Sequence, residues 1–192
     1  MLTTTLNRIR AHEPCVQGWS KLLAYLGKTK ADDEPLPYAI IVQSNGLDDA
    51  LWCCRAAPHY EMEWWLFIRW CINRISPLMI DPNVAHALDV TGQYVSGVAT
   101  REEIIAAWNV AQWVALDTAS FIERSTGQCD VWSVAREASY AVTEGAAWNI
   151  AWSTTRVASW LATCARYDDP WKDAWDAERA AQTQEFLRIV TQ

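Results

Sequence analysis

Histidine is scarce in this chain: His12, His59 and His86 are the only three in 192 residues. Histidine is the usual acid–base group near neutral pH, so few positions can supply that chemistry. Glycine and proline number seven each, too few for a linker-rich, collagenous or low-complexity chain. Sustained period-two alternation is missing, which excludes a β-sandwich or barrel. The one β-branched run, Ala39–Val42, leads into Ser44-Asn45-Gly46 and also reads as the end of a helix. Long apolar runs are missing as well. Trp64-Trp65-Leu66-Phe67-Ile68 is broken by Arg69 and falls far short of the ~20 residues a membrane span needs. Basic residues are outnumbered, 16 against 23, for a net charge of −7. That balance argues against a phosphate-binding surface, so direct nucleic-acid binding is not expected.

Other signatures fail to appear. There is no N-terminal signal pattern and no Asn-x-Ser/Thr acceptor site. Six cysteines (Cys15, Cys53, Cys54, Cys71, Cys129, Cys164) show no framework spacing and read as small buried hydrophobes. The expectation is a reduced, cytosolic protein. Phosphate-binding glycine loops, the Gly-x-Ser-x-Gly elbow and His-Glu-x-x-His are also missing. A non-catalytic protein without cofactor or metal is therefore expected.

What the chain has in abundance is alanine, 28 residues, and tryptophan, 13 residues. Positions 101–192 hold 18 of the alanines and 8 of the tryptophans, the pattern of close helices in which an indole meets a small residue. Helix punctuation is frequent. Pro14 to Gly27 brackets a segment with Trp19, Leu22, Leu23 and Leu26 on one face. Residues 28–34 read as a loop, and Pro35 or Pro37 opens a short helix to Asn45-Gly46. Asp48 and Asp49 sit in the first turn of the next helix, which Pro58 closes. From Glu61 to about Ile75 apolar residues occupy nearly every face, as in the central helix of a bundle. Asp81-Pro82 opens a helix to Ser96-Gly97, and Thr100-Arg101-Glu102-Glu103 is a capping box. Asp130 caps a long segment reaching Tyr167, and Pro170 begins a last helix with Trp171, Trp175, Phe186 and Ile189 inward.

The fold expected is all-α: one compact multi-helix bundle over 1–192, with short helices in 1–58 and central and Ala/Trp-rich helices in 59–192. A second reading places HEAT-like helical hairpins in the C-terminal half, because Ala106-Ala107-Trp108-Asn109-Val110-Ala111 is echoed by Ala146-Ala147-Trp148-Asn149-Ile150-Ala151 forty positions later.

Candidate chemistry is thin. His12-x-x-Cys15 offers two zinc ligands, but no second pair at ligand spacing completes a tetrahedral site. The adjacent Cys53-Cys54 pair does not form a chelating unit. Asp32-Asp33-Glu34, Asp48-Asp49 and Asp168-Asp169 resemble metal-binding carboxylates, yet each group sits at a helix start, where acids are expected anyway. The charge pattern is more suggestive. Residues 1–30 carry five basic and one acidic side chain, and 31–63 carry seven acidic and one basic. Asp32, Asp33, Glu34, Asp48, Asp49, Glu61 and Glu63 are therefore the candidate partner-binding residues, an acidic face for a basic partner. Tryptophans beyond the needs of the core would mark the same kind of surface, with Trp64, Trp65 and Trp70 as candidates.

Asn45-Gly46-Leu47-Asp48-Asp49-Ala50-Leu51-Trp52-Cys53, together with His12-Glu13-Pro14-Cys15, Gly18-Trp19, Leu22-Leu23 and Leu26-Gly27-Lys28-Thr29, resembles a family of small helical proteins encoded in phages and prophages. The central segment, with Trp70-Cys71, Asp81-Pro82, Ala87-Leu88-Asp89-Val90, Tyr94 and Gly97, is similar to a helical module of bacterial immunity proteins. The resemblance implies a phage origin and an all-α fold, and carries over no catalytic or binding residue. The function expected is protein–protein binding in the host cytosol, most concretely inhibition of a host defence system such as a CRISPR-type effector or a nuclease. The alternatives are a divalent-metal-dependent hydrolase using Asp48 and Asp49 with His59 or Glu61, and a homo-oligomeric structural accessory protein of the phage.

Overall fold

The computed structural model describes residues 1–75, 82–122 and 171–192. The expected helix from Asp130 to Tyr167, the second copy of the Ala-Ala-Trp echo, and Asp168 and Asp169 lie outside the described residues. The described residues form an all-α structure with one two-stranded ladder. In chain order the elements are β1 (Thr3–Thr4), α1 (Leu6–Arg10), α2 (Val16–Leu26), β2 (Leu36–Pro37), α3 (Tyr38–Asn45), α4 (Leu47–Cys53), α5 (Glu61–Ile75), α6 (Pro82–Val95), α7 (Arg101–Ile122) and α8 (Trp171–Thr191).

Local chemistry sets most boundaries. Thr5 caps α1 by accepting from the Arg8 amide. The Cys15 thiol does the same for α2 from the Gly18 amide, at 3.3 Å. Gly27, at φ +64°, ends α2 in the left-handed conformation that glycine adopts without a Cβ penalty. The capping box is formed as expected: the Glu103 amide donates to Thr100 Oγ1 (3.2 Å) and the Thr100 amide to Glu103 Oε2 (2.7 Å).

Three features differ from the sequence expectation. Thr3 and Thr4 pair antiparallel with Pro37 and Leu36, a ladder too short to leave an alternating pattern. α4 stops at Cys53, and two 3-10 turns, Cys54–Ala56 and Pro58–Tyr60, lead into α5. α5 is also not buried all round: Trp64, Trp65, Phe67, Ile68, Cys71 and Ile72 are buried, while Met62 and Leu66 are exposed. Those two residues are four apart and share a face.

The core gathers around α5. Trp64 stacks on Phe186 of α8, with ring centroids 6.1 Å apart and planes 14° apart. Phe67 meets the same ring edge-on at 5.4 Å, and Tyr38 of α3 meets Trp64 edge-on at 5.1 Å. Offset and edge-to-face pairs of this kind suit the quadrupoles of the rings. The polar tips of both rings are satisfied: the Tyr38 hydroxyl donates to the Cys53 carbonyl (2.9 Å) and Trp64 Nε1 to the Ala57 carbonyl (3.1 Å). Across α6 and α7, Trp108 Nε1 donates to Thr91 Oγ1 at 3.0 Å. Trp64, Trp65 and Trp108 are thus core residues.

α8 joins the end of the chain to its beginning. The Leu2 amide donates to the Val190 carbonyl at 2.7 Å. Arg74 of α5 grips Glu178 through Nε, 2.9 and 2.8 Å from the two carboxylate oxygens, and Arg179 pairs with Asp48. Among the described residues, no helix is long and apolar enough to cross a membrane.

Candidate functional site

α2 is the least embedded of the longer helices. Of its eleven residues only Leu22 is buried, and Val16 and Tyr25 are 82% and 55% exposed. Leu22, with Trp19, Leu23 and Leu26 packed partly against the core, anchors it, and a polar node adds to this. Asn45, the last residue of α3, donates through Nδ2 to the Gly18 carbonyl (2.8 Å) and to Asp49 Oδ2 (2.6 Å). Its Oδ1 accepts from Ser44 Oγ at 2.8 Å. One amide side chain thereby ties α2, α3 and α4 together. Glycine at position 18 leaves room for this node: a Cβ there would lie 2.7 Å from Asp49 Oδ2 and 3.2 Å from Cys15 Sγ, so a larger residue would displace the Asp49 carboxylate.

Beside this node lies a cavity of about 140 Å³. Pro14, Cys15, Gly18, Trp19 and Leu22 line it from the α2 side, and Asn45, Asp49, Trp52 and Cys53 from the α3–α4 side, over a floor of Ile9 and Ile41. Residues 14–22 and 45–53, remote in sequence, face each other across this space. On the other side of Trp19 and Pro14 runs an open groove of about 470 Å³, walled by Val16 and Leu23 and rimmed by Arg10 and Lys30. An indole standing between two concavities, with apolar groups uncovered beside it, is the kind of surface that soluble proteins rarely leave without a use.

Four of the seven acidic residues singled out from the sequence are drawn into ion pairs. Lys28 Nζ binds Asp32 at 2.5 Å and Glu34 at 2.6 Å, which ties down the 28–34 loop. The hydrogen bond to Lys28, more than anything else, holds the Asp32 carboxyl below its ordinary range. Asp48 is paired with Arg179. Glu61 accepts from Arg101 (3.1 Å) and from the Tyr94 hydroxyl (3.2 Å). Among the described residues, Asp33, Asp49 and Glu63 form no ion pair, and of these Asp49 alone lines the cavity. Among the described residues, no three of His, Cys, Asp and Glu converge where a metal ion would be held. The set proposed for a hydrolase is divided: Asp48 faces α8, Asp49 faces α2, and Glu61 faces α6 and α7.

Sequence reasoning missed Trp19 and Trp52 as a pair, and Asn45 and Cys15 as site residues. Trp19 and Trp52 are half-buried, as is the surface candidate Trp70, whereas the other two candidates, Trp64 and Trp65, are buried. The helices of Trp19 and Trp52 carry each indole toward the same space, which no local spacing records. Asn45-Gly46 signals a helix end, and nothing in it reveals that the amide bridges three helices.

Thiol chemistry divides sharply across the cavity. Burial, and after it the negative charge of Asp49, pushes the Cys53 thiol up to about 12. Burial also raises Cys54 well above its ordinary value. Thiolate is the reactive form, so both stay inert near neutral pH, while Cys15 is exposed. With iodoacetamide at pH 8 and peptide mapping by mass spectrometry, Cys15 is expected to alkylate at least tenfold faster than Cys53, Cys54 or Cys71; equal rates would show that the α2–α4 packing opens readily.

No protein-family profile, curated protein or solved structure matches the chain.

Proposed function

We propose that the protein acts by binding another protein, without catalysis, through the face formed by α2, α3 and α4. The observation that carries this reading is the uncovered apolar surface there. Val16 and Tyr25 are exposed, and Trp19 is shared by a half-open cavity and a neighbouring groove. Tryptophan and tyrosine are the side chains that most often anchor protein interfaces. The chemistry of the cavity supports binding over bond-making. Its polar groups are a carboxylate braced by an asparagine and two thiols, one of them held neutral by burial, and no histidine lines it. A nucleophile needs a base within hydrogen-bond reach.

The partner we propose is a component of a host defence system, a CRISPR-type effector or a nuclease, engaged in the host cytosol. The resemblance of 12–29 and 45–53 to phage-encoded proteins supports this, and so does a net charge of −7. An acidic protein is drawn to the basic surfaces with which such effectors hold nucleic acid. Affinity capture from the lysate of the host bacterium, read by mass spectrometry, tests the reading. One dominant defence protein in near-stoichiometric yield is expected, and a capture with no enriched protein would contradict it.

A further inference from the structure

We propose that the cavity between α2 and α4 receives a primary alkylammonium group on an aliphatic stem, the side chain of a lysine supplied by the partner. This rests on the partner-binding reading and adds to it which side chain enters.

The lining decides the class of guest. Trp19, Leu22, Ile41 and Trp52 give it apolar walls, and Asp49 places one carboxylate in them. Asp49 Oδ2 accepts from Asn45, but among the described residues no hydrogen bond reaches Oδ1 and no cation pairs with the group. An apolar guest would strip water from that carboxylate and return nothing, which is costly for a charged group. An anion would meet the carboxylate directly. The α2 N-terminus gives it little in return, because the Gly18 amide is already donated to Cys15 Sγ and the Asp49 carboxylate packs against Gly18. A cation with an apolar stem satisfies both parts of the lining at once: methylenes lie against the indoles and the ammonium reaches the carboxylate. Indole faces attract cations in their own right, and Trp52 already does so on this molecule, where the Arg55 guanidinium lies 4.4 Å from its ring centroid.

Size selects the stem. About 140 Å³ is available, and a cavity of about 150 Å³ takes a benzene molecule. A lysine side chain is smaller than that. An arginine head is wider and needs several acceptors in its plane, whereas a single carboxylate lines the cavity.

The test needs no partner protein. The full chain, labelled with ¹⁵N at its indoles, is titrated with n-butylammonium, N-acetyl-lysine-N-methylamide, n-butanol and butyrate, following the Trp19 and Trp52 indole N–H signals assigned from W19F and W52F. Both ammonium probes are expected to shift these signals and to bind at least tenfold more tightly than butanol or butyrate. D49N, with its fold checked by circular dichroism, is expected to lose at least tenfold in affinity for both. Equal binding of butanol and butylammonium by the wild-type chain would overturn the proposal whether or not the variant folds. Binding of the free amine without the lysine amide would overturn the lysine source. Failure of these titrations alongside successful capture of a partner refutes the lysine site alone. Ammonium binding without any captured partner refutes the partner reading alone.

Discussion

Replacing Phe186 by alanine is expected to cost about 3–5 kcal/mol of folding stability, the range for emptying a large aromatic site in a packed core. Phe186 is fully buried and is the one ring in contact with Trp64, Phe67 and Tyr38 together. Those partners come from α5 and α3, so they are fixed by other contacts and cannot collapse into the space left behind. Urea unfolding monitored by circular dichroism measures the loss. Leu66→Ala on the exposed side of α5 is the matched control and should change stability by about 0.5 kcal/mol or less. A similar small effect for Phe186→Ala would mean that α8 does not complete the core.

Arg74→Ala is expected to cost about 2–3 kcal/mol, somewhat below the usual range for breaking a buried ion pair because its arginine reaches solvent. The side chain of Glu178 is only 5% exposed and that of Arg74 is 41% exposed. Removing the arginine leaves the glutamate charged and poorly solvated, although Gln182 Nε2 still lies 3.4 Å from it. The guanidinium also rests over Trp70, 4.9 Å from the ring centroid, so packing is lost together with charge. A double replacement, Arg74→Met with Glu178→Leu, removes both charges and should recover most of the loss. The same urea experiment reads both variants. If the double variant is as unstable as the single one, packing of the arginine stem is the larger contribution and the uncompensated charge the smaller.

These two contacts show where the sequence was informative and where it was not. Helix starts and stops are local chemistry, so they were legible. Thr100 and Glu103 cap α7 as their spacing required, Pro82 opens α6, and Gly27 ends α2. Much of the inward faces of α7 and α8 followed from period: Ile104, Trp108, Phe186 and Ile189 are buried, while Trp175 is half-buried. The pairing of Arg74 with Glu178 spans 104 positions and leaves no local trace. The same holds for the cavity: Trp19 and Trp52 are each an ordinary helical tryptophan until α2 and α4 are brought together around Asn45. Acidic runs are only partly informative, for a physical reason. A carboxylate at a helix start is visible in sequence, but whether an arginine elsewhere neutralises it, as Arg179 does Asp48, depends on the tertiary fold.

The face built by α2, α3 and α4 is the centre of this account, and two exposed valines allow it to be tested without disturbing the core. Val16 is 82% exposed on the groove beside Trp19, and Val98 is 74% exposed at the far turn between α6 and α7. The most direct measurement is quantitative affinity capture from host lysate by the wild-type chain, Val16→Arg and Val98→Arg in parallel. The account predicts at least a tenfold loss of the captured protein for Val16→Arg and wild-type recovery for Val98→Arg. Unchanged capture by Val16→Arg, or loss confined to Val98→Arg, would contradict it.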